Sequence, residues 1–299
     1  MILRAPAKLN IRLIVLGLRA DGYHSIETLF LRLGLADELE VDQAPRLRLE
    51  TSGQFEVPAG EGNLAWKAAA AFFEAIDRAP AASIRLVKRI PVAAGLGGGS
   101  SDAATVLKGL NQAHGQPLDQ GRLMSLAGRL GSDVPFFALG APYALARERG
   151  DVLLPLEPPP SRPVLVVVPD FGVAAGDAYA WRRADIADGL EPAGSRGLDL
   201  PDLTRLADWG VLAGIACNDL ANSVFRRHGS LRAAADVLAG TGCVLTTLCG
   251  SGACLAGVYR TETERDKASE QLRGEPRIGA GWRLISTWTE GLGAPPDSG

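Results

Sequence analysis

The sequence predicts an α+β protein of two domains, on three observations. The chain has 299 residues, beyond the ~250 at which a single hydrophobic core stops growing. Segments of strand and helix character mix without strict β-α-β alternation, which speaks against a doubly wound parallel sheet. A proline-rich stretch over 154–163, with Pro158-Pro159-Pro160 inside it, can continue neither a helix nor a central strand. It predicts a stiff junction, and with it domains at 1–157 and 158–299.

The elements follow in order. Alternating, β-branched segments at 10–16, 38–41, 46–51 and 83–87 predict strands. Asn63 can cap a helix whose Leu64, Ala68, Phe72, Ala75 and Ile76 fall on one face, with Lys67, Glu74 and Asp77 elsewhere. A second helix follows a glycine run near residue 98, with Ala103, Leu107 and Leu110 as its buried stripe. A third spans about 119–130 and stops at Gly131, read as a C′ glycine. Val164 to Val168 is a continuous apolar run, the pattern of a strand buried on both faces. The segment 188–197 reads as a loop. Strands near 244–248 and 255–259 flank a second glycine cluster, and a polar helix at 262–272 precedes a last strand at 282–287. The end from Gly291 is expected to fray.

Composition excludes several function classes. Hydrophobic residues make up 46% and charged residues 22%, the balance of a globular rather than a disordered chain. A net charge of −3, from 31 basic and 34 acidic residues, argues against the broad basic face that nucleic acid requires. Cys217, Cys243, Cys249 and Cys254 form no Cys-x-x-Cys pair, and with three histidines no zinc spacing appears. They read as small buried thiols in a reducing compartment. Neither a secretory leader nor the ~20-residue apolar stretch of a membrane span is seen, so a cytoplasmic protein is expected.

The segment Pro91-Val92-Ala93-Ala94-Gly95-Leu96-Gly97-Gly98-Gly99-Ser100-Ser101 is the most informative in the chain. Its glycines remove Cβ atoms from a tight turn, so the backbone can approach a ligand closely. A helix begins directly after it, with Ser100 or Ser101 expected as cap. Backbone N–H groups and the positive end of the helix dipole then face one spot, which is an anion site suited to polyphosphate. The serine hydroxyls add donors or a ligand for magnesium. A Walker A loop is excluded because no lysine follows the glycines, and the dinucleotide pattern fails at Ser100. Asp102 sits awkwardly beside a triphosphate, unless it faces away or helps hold the metal.

Two more segments carry chemistry: Pro6-Ala7-Lys8-Leu9-Asn10, which opens the first strand, and the turn Asp21-Gly22-Tyr23-His24. Taken alone, Lys8 reads as a surface lysine and His24 as a satisfied turn residue. Together with the glycine segment, the order of these motifs resembles the GHMP kinase superfamily. Gly131-Ser132-Asp133-Val134-Pro135 is similar to that family's catalytic aspartate motif. Asn218-Asp219-Leu220 and Gly250-Ser251-Gly252-Ala253 are similar to its later motifs. The Asp-Gly-Tyr-His turn separates the branch acting on a cytidine-diphosphate-linked methylerythritol from the homoserine and mevalonate kinases.

The resemblance implies a two-domain fold with the active site in the cleft between the domains. It implies transfer of the ATP γ-phosphoryl group, with Mg2+, to the 2-hydroxyl of the methylerythritol moiety. In that reading Asp133 accepts the hydroxyl proton, and Lys8 lies against both Asp133 and the hydroxyl. Tyr23 and His24 hold the cytosine ring, Tyr179 adds a second stacking ring, and Asn10 bonds the methylerythritol hydroxyls. Gly250, Ser251 and Gly252 join the substrate side, while Asn63, Leu64 and Lys88 match adenine-side positions. The partner implied is a small molecule with a cytidine diphosphate moiety, with no nucleic acid or membrane, and a monomer or weak homodimer is expected. The rivals are a homoserine- or mevalonate-type kinase and a catalytically silent nucleotide-binding protein; the latter has no need of both Lys8 and Asp133. The chain departs from the family pattern at Ala174-Ala175, where Ser-Thr is common, at Leu248-Cys249, and at Ala221.

Overall fold

The computed structural model describes residues 1–192, 202–279 and 281–293. Along the chain run β1 (Ile2–Leu18), β2 (His24–Gln43), β3 (Arg48–Gly53), α1 (Leu64–Ala75) and β4 (Ala82–Lys88). Helices α2 (Gly98–Ala113), α3 (Gln120–Leu130) and α4 (Val134–Leu139) follow, then β5 (Tyr143–Arg147), β6 (Val152–Pro155) and β7 (Pro163–Val168). The remainder comprises α5 (Ala175–Ala187), a 3-10 turn at Leu203–Ala207, α6 (Trp209–Ile215), β8 (Cys217–Asn218), α7 (Ala221–Arg227) and α8 (Gly229–Ala239). It ends with β9 (Leu245–Leu248), β10 (Leu255–Val258), α9 (Glu262–Arg273) and β11 (Arg283–Trp288).

Internal contacts divide these elements into two compact units, each assembled from separate stretches of chain. The first comprises Met1–Ala7, Leu35–Val92 and Gly97–Ala141; the second comprises Lys8–Gly34, Ala93–Leu96 and the chain from Pro142 onward.

In the first unit, β4 pairs antiparallel with β2 (Glu38↔Val87 to Gln43↔Ala82) and parallel with β3. Four helices pack on one another around α2. That helix is buried almost all round, from Ser101 through Leu107 and again at Gly109–Asn111, as a central helix must be. The expected Ala103, Leu107 and Leu110 are among its buried residues. Helix α1 is capped by Asn63, whose Oδ1 accepts from Ala65 N at 2.9 Å. Its buried stripe is Ala65, Ala68, Ala69, Phe72 and Phe73, whereas Leu64, Ala75 and Ile76 are only partly covered. The face is rotated from the expected one because α1 packs against both α2 and α3. Helix α3 starts at Asp119 and stops at Gly131, but Gly131 is extended, with φ 170, rather than left-handed.

In the second unit, β5 pairs with β2 (Thr28↔Ala146 to Leu31↔Tyr143) and with β6, and β8 pairs in parallel with β1. A separate antiparallel sheet has the order β11-β7-β10-β9. Val164 to Val168 are all buried in β7, as the apolar run predicts. Leu13, Val167, Val224, Leu231, Leu238, Leu255 and Tyr259 belong to a single core cluster there. The proline-rich stretch begins inside β6, an edge strand that tolerates Pro155 because it pairs only with β5. Of the end expected to fray from Gly291, Leu292 bridges Pro160 and accepts from Ser161 N at 2.8 Å, and positions 294–299 lie outside the described residues. Positions 193–197 of the expected loop lie outside the described residues.

Candidate active site

The glycine segment builds its turn from residues whose backbone only glycine adopts readily. Gly95 has φ 76 and Gly97 has φ 73, both in the left-handed region. At Gly95 a Cβ would overlap the carbonyl oxygen of Cys249, so close backbone approach demands glycine there as well. Gly97, and neither serine, is the N-cap of α2. Ser100 and Ser101 fall within the first turn, and the first amide to return to the helix is Ser101 N, to Gly97 O at 2.9 Å. The amides ahead of it have no carbonyl one turn back. An anion site at this helix start therefore rests on backbone N–H groups. Ser101 is wholly buried and its Oγ has no hydrogen-bond partner.

Beneath that turn lies a buried ion-pair cluster. Lys88 Nζ bonds to Asp37 and, at 2.7 Å, to Asp102 Oδ2, with all three side chains almost fully buried. Asp37 Oδ1 also accepts from Arg89 N at 2.6 Å and Ile90 N at 2.9 Å. A Cβ on Gly98 would lie 3.0 Å from Ile90 Cγ2 and 3.3 Å from Lys88 Nζ, so the glycine lets the helix start rest on the cluster. The question the sequence leaves open about Asp102 is answered here: its carboxyl turns into Lys88. Burial pushes Asp102 up to about 8, aided by Asp37 and opposed by Lys88. Burial alone would lower Lys88, but attraction to Asp102 and Asp37 raises it. Asp37 was invisible as a partner in the sequence.

Asp133 is the N-cap of α4, partly buried, without a side-chain cap bond. The sequence expectation of a new helix at this aspartate is met, with Pro135 in its first turn.

In the second unit, Lys8 and Asn10 project from the same face of β1, two residues apart. Lys8 Nζ donates to Asn10 Oδ1 at 2.7 Å and lies 5.3 Å from the Phe30 ring centroid. Lys8 is buried, which overturns its reading as a surface lysine. A Cβ at Gly250 would come within 3.2 Å of Lys8 Nζ and 3.4 Å of Asn10 Oδ1. The Gly250-Ser251-Gly252 turn thus covers this pair with bare backbone, and Gly250 and Gly252 are both left-handed, with φ 52 and 95. Asn218 holds the turn, its Nδ2 donating to Leu248 O at 2.8 Å and Gly250 O at 2.7 Å. That bond explains why an asparagine stands in the Asn-Asp-Leu motif. Asp219 in turn accepts from Val15 N at 2.9 Å and from Arg182 at 3.3 Å.

The turn 19–24 closes through Arg19 N to Tyr23 O at 2.7 Å and Tyr23 N to Asp21 Oδ1 at 3.1 Å. Tyr23 is 53% exposed, with the Arg149 guanidinium 5.1 Å from its ring centroid. His24 instead stacks on Tyr179, with centroids 4.6 Å apart and planes 19° from parallel. Burial lowers the His24 pKa below its ordinary 6.5, and the positive charges of Arg183 and Arg182 add to the shift. The ring is therefore neutral near pH 7. Helix α5, which carries Tyr179, is capped by Ala174 without a side-chain bond, the local consequence of the Ala-Ala departure.

No described helix is long and apolar enough to cross a membrane. Among the described residues no group of three or more His, Cys, Asp or Glu could hold a metal ion. None of the four cysteines forms a disulfide with another; Cys249 and Cys254 are buried, Cys217 and Cys243 partly so.

Comparison with known proteins adds the family. The profile of the GHMP kinases N terminal domain matches residues 63–141. The 4-diphosphocytidyl-2-C-methyl-D-erythritol kinase of Citrifermentans bemidjiense is 38% identical over 272 residues, covering 90% of this chain and 93% of that protein. A crystal structure of 4-(cytidine 5'-diphospho)-2C-methyl-D-erythritol kinase superposes with a TM-score of 0.76 at 34% identity, covering 97% of this chain and 99% of that one. A homoserine kinase structure from Cytophaga hutchinsonii has a TM-score of 0.67 at 14% identity, over 96% of this chain and 93% of that one, a likeness of fold alone. The mixed helix-and-sheet architecture is the GHMP kinase fold, and the chain belongs to the 4-diphosphocytidyl-2-C-methyl-D-erythritol kinase family.

Proposed function

We propose that this kinase transfers the γ-phosphoryl group of ATP to the 2-hydroxyl of 4-diphosphocytidyl-2-C-methyl-D-erythritol, a step of the non-mevalonate isoprenoid pathway. The observation that carries the choice of substrate is the ring pair His24–Tyr179, beside the exposed Tyr23 of the same turn. A pyrimidine stacks on such rings whatever its identity, whereas a neutral imidazole edge can hydrogen-bond one base and refuse another.

Phosphoryl transfer asks the protein mainly for positioning and charge stabilisation. The segment Pro91–Ser101 receives the phosphates of ATP on the backbone amides that open α2. Asn63 and Leu64 take the adenine side, and Lys88 serves it by way of its buried ion pairs. Asp133 orients the substrate hydroxyl and accepts its proton, and Lys8 offsets the charge that develops on the oxygens. Gly250, Ser251 and Gly252 complete the substrate side, and Asn10 holds the Lys8 ammonium. Mg2+ keeps most of its waters and takes few protein ligands, binding mainly through the phosphates. One residue fits that role: the unpartnered Ser101 Oγ stands in the first turn of α2. When bound, the ion neutralises phosphate charge. A cytoplasmic location and a monomeric or weakly dimeric state complete the proposal.

The test is ADP release by the purified enzyme with ATP, Mg2+ and the cytidyl alcohol. Turnover that requires this alcohol and is competed by cytidine diphosphate supports the reading. Turnover with homoserine or mevalonate in its place, insensitive to cytidine nucleotides, overturns it.

A further inference from the structure

Between β1 and β2 runs a chain of three hydrogen bonds that ends on Lys8. Thr28 Oγ1 donates to Arg12 O at 2.7 Å, Asn10 Nδ2 donates to Thr28 Oγ1 at 2.8 Å, and Lys8 Nζ donates to Asn10 Oδ1 at 2.7 Å. Lys8, Asn10 and Thr28 are 3%, 2% and 0% exposed, so water does not compete for these bonds.

The direction of the chain is set by donor arithmetic. A hydroxyl has one proton and two lone pairs, an amide has distinct donor and acceptor ends, and an ammonium only donates. The Arg12 carbonyl can only accept, so it takes the one proton of Thr28. Thr28 is thereby left as an acceptor, and only the NH2 end of Asn10 can face it. The Asn10 oxygen must then point at Lys8. Both ends of the amide demand the same orientation, and each bond fixes the next. The side chain that the resemblance assigns to the substrate hydroxyls is committed to holding the ammonium instead.

We propose that Thr28 is a positioning residue of this kinase: its hydroxyl locks the Asn10 amide, and the amide holds Lys8 Nζ where the transferring phosphoryl group needs it. The inference rests on the role given above to Lys8. Removing the hydroxyl leaves Asn10 Nδ2 buried without a partner and frees the amide at one end. The ammonium then loses its fixed acceptor geometry, while the groups that bind the two substrates are untouched. A displacement on the order of 1 Å at a catalytic group is enough to cost up to about 100-fold in rate.

The experiment compares Thr28→Val, Thr28→Ser, Lys8→Met and the double variant Lys8→Met/Thr28→Val by steady-state ADP release. Thr28→Val is expected to lower kcat about 10- to 100-fold, with KM for ATP and for the cytidyl alcohol within about two-fold of wild type. Thr28→Ser keeps the hydroxyl and is expected to recover most of the rate. In the Lys8→Met background the valine change is expected to have almost no further effect, since coupled residues are not additive. If Thr28→Val does not unfold cooperatively like wild type, Thr28→Ala replaces it. An equal loss in the Lys8→Met background, or a serine variant as slow as the valine one, overturns the proposal while sparing Lys8. Full turnover by Lys8→Met alone removes the role of Lys8 and the proposal with it.

Discussion

Lys88 and Asp102 meet at 2.7 Å with 3% of each side chain exposed, directly under the turn that opens α2. With Asp37 the cluster holds one cation and two carboxyls, so a proton on Asp102 makes it neutral. Such a cluster is weak evidence for stability, because desolvation offsets the attraction.

The cluster makes stability depend on pH in a predictable direction. Asp102 is raised from 3.8 to about 8, chiefly by burial. Between these values the folded state binds a proton that the unfolded state has lost. Stability from this group is therefore fully present at low pH and is lost as pH rises towards 8. The melting temperature of wild type is expected to carry a falling contribution from this group between about pH 4 and pH 8 and none above, and Asp102→Asn to remove it. A profile of equal slope in the variant counts against the assignment.

Tyr179 and His24 are stacked, and the proposed function makes them the platform for the base. Tyr179→Ala is expected to raise KM for the cytidyl alcohol about 5- to 150-fold, the ~1–3 kcal/mol of one stacking partner. KM for ATP should stay within about two-fold, and steady-state kinetics in each substrate separates the two.

In the proposed site a neutral His24 recognises the base edge, and burial lowers its pKa below 6.5. Affinity for the cytidyl alcohol is expected to hold near neutral pH and to weaken as pH falls below 6.5. Calorimetric titration with cytidine diphosphate over that range provides the check, with His24→Phe removing the acid limb.

Asp133→Asn keeps the size of the side chain and removes the proton acceptor. We expect kcat to fall about 100-fold or more while ATP still binds. Single-turnover rates and equilibrium nucleotide binding measure the two effects separately.

Gly95→Ala adds a methyl at φ 76, against the carbonyl of Cys249. It is expected to cost roughly 2 kcal/mol or more of stability, read from urea unfolding, and to weaken ATP binding through the displaced loop.

Much of this was legible along the chain because the signals are local. Asn63 and Asp119 cap helices through their own side chains, and Val164 to Val168 cannot be anything but a buried segment. Gly95, Gly97 and Gly98 stand where the backbone turns left-handed or packs closely, a requirement stated by residue type alone. Less legible were α5 and α7. Their first residues, Ala175 and Ala221, follow caps with no side-chain bond, so the usual start signal is missing.

What the sequence by itself determined was the inventory: an α+β chain, a glycine turn before a helix, and the residue types that the proposed phosphoryl transfer uses. Only the tertiary structure decided which groups share a proton or a ring. Lys88 draws its partners from β2 and α2, His24 finds its ring on α5, and Thr28 reaches Lys8 through Asn10 across two strands. Hydrogen bonds and ion pairs act over about 3 Å, and no linear spacing reveals which distant residues folding brings within that reach.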